Sequence, residues 1–166
     1  MISLFGFIGR PLRVFVTTLV IGAAFLVAQP FSASSAKQTD RNQTIAELLI
    51  GKGVAALDKG KYDDARQSFE QAVVADPSYA KSFSYLGYAY FRMSNTELAK
   101  KYFDTALDID PNEPHALTWG GKLDLEAADL EGAEAKLLRL SRSCGTDCSE
   151  YKLLSDEVSS YKMKAN

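Results

Sequence analysis

The sequence holds one histidine, His115, and two cysteines, Cys144 and Cys148. Neighbouring residues therefore cannot supply the nitrogen and sulfur ligands of a zinc site. His115 follows Pro114 directly and reads as a surface or groove residue rather than a catalytic one. A phosphate-cradling loop is lacking too, because Gly51-Lys52-Gly53 and Gly120-Gly121 fall inside helical patterns instead of between a strand and a helix. Asp63, Asp64, Glu126 and Glu131 are spread over helix surfaces, which solvates the fold and sets up no acid and base pair. Nor is there a basic excess: 19 Lys and Arg stand against 21 Asp and Glu. Nucleic-acid binding needs clustered bases to neutralise phosphates, so that class is set aside. Outside the two cysteines, catalysis, a cofactor, a metal and a small-molecule substrate are all without a sequence basis.

Acidic residues are missing from residues 1–36, where Arg10 and Arg13 precede an uncharged run, Val14–Ala28. Gln29, Pro30 and Phe31 then lead into Ser32-Ala33-Ser34-Ser35-Ala36. A basic start, an apolar centre and small residues at the cut are the order of a secretory signal, with cleavage expected after Ala36. Losing Arg10 and Arg13 takes 19 bases to 17 against 21 acids, a mature net charge of −4. The other reading is an uncleaved membrane anchor, since Val14–Ala36 is free of charge for 23 residues, and a span needs about 20. Residues 37–43, Lys-Gln-Thr-Asp-Arg-Asn-Gln, have no apolar member and read as a solvated linker.

From Thr44 to Tyr161 the apolar residues recur with helical spacing, and the whole pattern repeats every 34 residues. Gly53, Gly87 and Gly121 return in register, as do Ala65, Ala99 and Ala133. Phe69 and Phe103 are followed by Leu137, Ala72 and Ala106 by Leu140, and Asp76-Pro77 by Asp110-Pro111. Each period divides into two amphipathic helices, for example Ala80–Met93 and Thr96–Ile109, joined at Ser94-Asn95. Gly and Ala belong where the helices cross, because only small side chains let helix axes approach to about 8 Å. Phe69 and Phe103 supply the bulk beside them. Pro77 and Pro111 end each second helix, since proline cannot continue the hydrogen-bond ladder. One such unit cannot bury its apolar face alone, so stability comes from stacking.

These residues resemble the tetratricopeptide repeat pattern: Gly53, Ala65, Phe69, Ala72 and Pro77, then Leu86-Gly87, Tyr90, Ala99, Phe103, Ala106 and Pro111. The second unit matches nearly every signature position. The first departs at Lys52, and the third has Asp124, Leu140 and Gly145 where an aromatic, a small residue and proline are usual. The resemblance implies an all-α helix-turn-helix solenoid of three repeats, with residues 44–77, 78–111 and 112–143 as units and residues 144–166 as a cysteine turn plus capping helix. Tyr151, Leu154, Val158 and Tyr161 form the apolar stripe of that last helix, as a cap requires.

Cys144-Gly145-Thr146-Asp147-Cys148 meets neither the two-residue spacing of redox motifs nor haem attachment, which would need a histidine where Ser149 stands. A structural disulfide is the simpler account, closed by a turn at Gly145, and suits an exported protein. A redox-active thiol pair and metal use stay open beside it.

The resemblance further implies a concave groove lined by the first helix of each unit. Its positions here are Ile50, Val54 and Leu57, then Ser84, Tyr85, Tyr88, Phe91 and Arg92, then His115, Thr118, Trp119, Lys122 and Glu126. Tyr, Trp and Arg are the residues that binding hot spots favour. Part of this set could instead be buried between successive first helices. Some family members clamp a C-terminal carboxylate with basic and amide residues, but Ile50, Val54, Tyr85 and Trp119 occupy those positions. An apolar helix or peptide of a partner protein fits better. The function expected is a non-catalytic scaffold of the bacterial cell envelope, in the periplasm or held at the inner membrane by the N-terminal segment. The alternative is a thiol–disulfide or maturation factor using Cys144 and Cys148; an envelope-processing enzyme is disfavoured for want of a convergent acid, base and nucleophile.

Overall fold

The computed structural model describes residues 31–165, and side chains from residue 36 on. The basic start and the apolar run of the export signal lie outside the described residues. Among those described there are seven α-helices and no strand: α1 Phe31–Leu57, α2 Tyr62–Ala75, α3 Ala80–Arg92, α4 Thr96–Ile109, α5 Pro114–Glu126, α6 Leu130–Ser143 and α7 Ser149–Ala165. The all-α repeat architecture read from the sequence is the one observed. The linker reading needs correction, because residues 37–43 are solvated but helical, as part of α1. No glycine or proline interrupts them, and side chains brace the helix four residues apart: Gln38 Nε2 donates to Asn42 Oδ1 (2.7 Å) and Thr44 Oγ1 to the Asp40 carbonyl (2.8 Å). Among the described residues no helix is long and apolar enough to cross a membrane.

Each unit is an αα-hairpin, α1 with α2, α3 with α4 and α5 with α6, and all three turns share one geometry. Gly60, Ser94 and Ala128, spaced by the repeat, have φ of 69°, 60° and 62°. The next N–H reaches back five residues in each, from Lys61 to Ala56, Asn95 to Tyr90 and Asp129 to Asp124, which closes a helix by the Schellman pattern. Only the first unit has glycine at the left-handed position; Ser94 and Ala128 hold it with a Cβ. Asn95 and Asp129 then cap the following helix by accepting from Leu98 N (3.1 Å) and Gly132 N (2.9 Å).

The recurring glycines sit where the expected crossings are. A Cβ on Gly53 would stand 2.3 Å from the Phe69 ring, and one on Gly87 2.7 Å from the Phe103 ring. Both rings are buried, as are Ala65, Ala72, Ala99 and Ala106 around them. The third unit departs from this. Leu137 is only half-buried, and the side chain 2.7 Å from a Cβ on Gly121 is Leu154 of α7. The residue that fills this crossing thus comes from the helix after the unit.

Successive first helices touch, α1 with α3, α3 with α5 and α5 with α7, whereas α2, α4 and α6 do not touch one another. The stack therefore bends with its first helices on the inner side. α7 packs on both α5 and α6, as α5 does on α3 and α4, and so takes the place of a fourth first helix.

Candidate functional site

α3 and α5 lie side by side on the inner surface and bring four aromatic residues and the histidine into one cluster. Tyr88 stacks on Trp119 with ring centroids 4.3 Å apart and planes 17° from parallel. Tyr85 meets the same indole edge-on at 5.1 Å, and Phe91 lies 6.4 Å from Tyr88. His115 stands 5.1 Å from both Tyr85 and Trp119. Helical spacing makes this possible: residues 85, 88 and 92 of α3 and residues 115, 119 and 122 of α5 share a face. Each aromatic is half-buried, so the cluster both joins the two units and offers ring edges to solvent. Such pairs contribute about 0.5–1.5 kcal/mol beyond area burial.

Arg92 is exposed at the end of α3, where its guanidinium lies 4.9 Å over the Tyr62 ring and 5.8 Å over Tyr88. It donates to Tyr62 Oη (2.6 Å) and Tyr88 Oη (3.1 Å). Tyr62, which sequence reasoning did not single out, thereby holds a cation at the groove edge. Val54 and Leu57 are half-buried against the first core cluster, as is Tyr85. Lys122 is drawn to the cap, with Nζ 2.7 Å from Glu157 Oε1, and Glu126 is exposed at the end of α5.

Three groove assignments need correction. Ile50 is buried, and Ser84 and Thr118, at its register position one and two repeats on, are fully buried and offer nothing to a ligand. Their hydroxyls serve unit contacts instead: Ser84 Oγ donates to Glu113 Oε2, and Thr118 Oγ1 to the carbonyls of Pro114 (2.8 Å) and Glu150 (3.3 Å). These positions face the neighbouring first helix, where polar groups survive burial only with a partner.

Sequence reasoning also missed Glu113, the polar hub behind the aromatic cluster. It is buried, caps α5 by accepting from Ala116 N (2.6 Å), and lies 2.9 Å from His115 Nδ1. Burial works to raise its pKa, but the hydrogen bonds from His115 and Ser84 and from the Ala116 amide outweigh it and hold the carboxyl below the usual range. His115 Nε2 is 3.4 Å from Tyr85 Oη, so the hub reaches the exposed rings. Burial, then the charges of Glu113, Glu47 and Glu150, pushes the Tyr85 phenol pKa up, leaving it a neutral hydroxyl. One signal could have revealed Glu113: Pro114 is a favoured first helical residue, which makes the residue before it the cap. One repeat earlier, Tyr79 donates to Glu47 Oε1 while Lys81 Nζ stands 3.2 Å from it, so the first two units are joined at the same register. Burial opposes the Glu47 charge, and those two partners still hold its pKa down.

Cys144 and Cys148 are brought together by the turn at Gly145, whose φ is 82°, with Cα atoms 5.9 Å apart. Cys148 Sγ also accepts from Tyr151 N (3.4 Å) at the start of α7.

Paired helices stacked with their first members inward, and a half-exposed aromatic cluster on that inner side, define a helical-repeat solenoid. Residues 50–114 match the tetratricopeptide repeat profile. Residues 50–114 thus carry tetratricopeptide repeats, and the solenoid around them has the same fold. Its fold is similar to the first such domain of Spaghetti (RPAP3) bound to the HSP90 peptide SRMEEVD, at 21% identity over 74% of this chain and 97% of that one, with a TM-score of 0.65. The Yersinia enterocolitica type III secretion chaperone SycD in complex with a peptide of the translocator YopD is 27% identical over 72% of this chain and 94% of its own, with a TM-score of 0.59. The TPR2B domain of yeast Sti1, in a pHsp70 complex, is 16% identical over 74% of this chain and 99% of its own, with a TM-score of 0.63.

Proposed function

We propose that this protein is a non-catalytic scaffold that binds a peptide or helix of a partner protein across Tyr85, Tyr88, Phe91 and Trp119. The observation that carries the reading is the half-exposed Tyr88–Trp119 stack on the inner surface, flanked by the Arg92 guanidinium. Rigid aromatic rings offer large contact area at small entropic cost, and the cation at the edge adds a contact for a backbone carbonyl of the bound segment. Support comes from the peptide complexes of Spaghetti and SycD, which share the fold. The basic carboxylate clamp is not reproduced here, since Ile50, Val54, Tyr85 and Trp119 stand in its positions. The ligand is accordingly an internal apolar segment rather than a free C-terminus.

The setting we propose is the bacterial cell envelope, reached through the Arg10, Arg13 and Val14–Ala28 signal and cleavage after Ala36. In that oxidising compartment Cys144 and Cys148 serve as a structural disulfide that fixes where α7 leaves α6. A thiol–disulfide role is the second reading, favoured by one observation: Cys148 Sγ lies at the N-terminus of α7, where backbone N–H groups stabilise a thiolate. Thiol titration and a reduction potential separate the two, because a structural bridge resists the glutathione pool.

The groove is tested by replacing Tyr88 and Trp119 together with alanine and crosslinking in intact cells. Capture of the partner should be lost while helical circular dichroism and cooperative melting persist; undiminished capture by the folded variant rejects the groove.

A further inference from the structure

The 34-residue register shows which side of a first helix meets the unit before it. On α3 and α5 that side is buried: Ser82 and Ala116 at one position, Leu86 and Gly120 at the next, Ala89 and Leu123 at the third. α2 packs on α3 and α4 on α5, so helices supply the cover. The same side of α1 is open. Leu48, in the register of Ser82 and Ala116, is 71% exposed, Ile45 is 42% exposed, and Lys52 and Ala55, in the registers of Leu86 and Ala89, are exposed too. At the opposite end α7 continues the stack by packing on α5 and α6. Among the described residues, then, no helix covers this face at the N-terminal end of the repeats.

The charge around that surface specifies the cover. Continuing that face through Lys52 and Ala55, a cleft of about 450 Å³ between α1 and α2 is lined by Lys52, Lys59 and Lys61 with Ala55 and one acid, Asp64. Lys61 is loosely paired with Asp64 at 3.8 Å, while Lys52 and Lys59 have no ion-pair partner among the described residues. The two acids of α1 do not answer them: Glu47 is committed to Tyr79 and Lys81, and Asp40 lies three helical turns before Lys52. This concentration of bases is set in a chain whose acids outnumber its bases. A second copy meeting the face with its own would set basic rim against basic rim. The uncharged run Val14–Ala28 has nothing to offer three lysines.

We infer that the open face of α1 is a second docking site, distinct from the aromatic groove, for an acidic amphipathic helix of another protein. The apolar stripe of that helix covers Leu48 and Ile45, and its carboxylates pair with Lys52 and Lys59. Packing supplies the affinity, and the charges supply orientation and a dependence on salt.

The test uses the full-length chain and a fluorescent, helix-stapled peptide with leucine and alanine on one stripe and glutamates beside it. A control peptide has lysine for each glutamate. The acidic peptide should bind more tightly than the control, and more weakly as salt rises. Leu48→Glu and the double variant Lys52→Glu/Lys59→Glu should each weaken it by about tenfold or more, and the Tyr88 and Trp119 double variant should not. Leu48 is largely exposed, so its variant should melt as the parent does. Equal binding of both peptides, or indifference to Leu48→Glu, overturns the proposal. Sedimentation that shows a dimer abolished by Leu48→Glu overturns it in favour of a second copy. Slow maleimide labelling of Leu48→Cys in the full chain overturns it in favour of cover by the preceding segment.

Discussion

The second and third units share a register but complete their cores differently. In the second, Gly87 on α3 is filled by Phe103 on its own partner helix, so the hairpin closes its own crossing. In the third, the corresponding aromatic has become Leu137, too short to reach, and Leu154 of α7 fills the space at Gly121. The degenerate signature of the third unit is therefore a transfer of a packing duty to the next helix. It follows that α7 is structurally part of the third unit, and that what holds α7 in place governs the α5 face of the groove. Four contacts among those that link the two helices are Leu154 with Gly121, Lys122 with Glu157, Thr118 with the Glu150 carbonyl, and His115 with the Glu150 carboxylate at 3.9 Å.

Truncation separates the two arrangements most strongly. Phe103→Ala should cost about 3–5 kcal/mol and Leu154→Ala about 2–5 kcal/mol in urea unfolding, with Leu137→Ala well below both. If Leu137→Ala costs as much as Leu154→Ala, the contrast between the units fails. A sharper form is a double-mutant cycle: Gly121→Ala should lose most of its cost in a Leu154→Ala background, because the atom it collides with is gone.

The joint between the two units is tested by Glu113→Gln, which should cost up to about 3 kcal/mol at neutral pH because it weakens a buried hydrogen-bond hub. The folded pKa of Glu113 is lowered, so its stabilisation is complete above the ordinary carboxylate pKa and is lost as pH falls through the lowered folded value. Urea midpoints measured from neutral to acid pH should therefore fall in the parent, and fall less steeply in Glu113→Gln.

Opening the proposed Cys144–Cys148 bridge should cost about 2 kcal/mol by the chain-entropy account of so short a loop. Hydrogen exchange should place the loss in α6 and α7 and spare α3 and α4; a uniform loss would mean that α7 belongs no more to the third unit than to the second. The smallest effect concerns the turns. Ala128→Gly should stabilise by about 1 kcal/mol, since glycine relieves the left-handed strain that Gly60 already avoids, less the entropy it adds to the unfolded chain.

Most of the fold was legible because small and large residues return at a constant interval, and that interval survives in the structure without slippage. Gly53 with Phe69 and Gly87 with Phe103 could be paired from spacing alone. Tyr85, Tyr88, Phe91 and Trp119 were likewise placed on one surface by helical geometry. Ser84 and Thr118 were misplaced for a definable reason. They lie beside half-buried Tyr85 and Trp119 on the same helices, and the neighbouring first helix decides which of two adjacent positions is covered. Glu113 escaped notice because an acid at the surface and an acid that caps a buried helix start look alike until the opposing Ser84 is in place.

The sequence by itself determined that this chain forms paired helices, where each turns, and that they must stack, since these follow from local chemistry and a regular period. Only the tertiary structure decided who fills Gly121, which hydroxyls vanish between helices, and that Leu48 of α1 stands exposed. Those outcomes depend on distances between residues of different units, and a one-dimensional pattern carries no such distances.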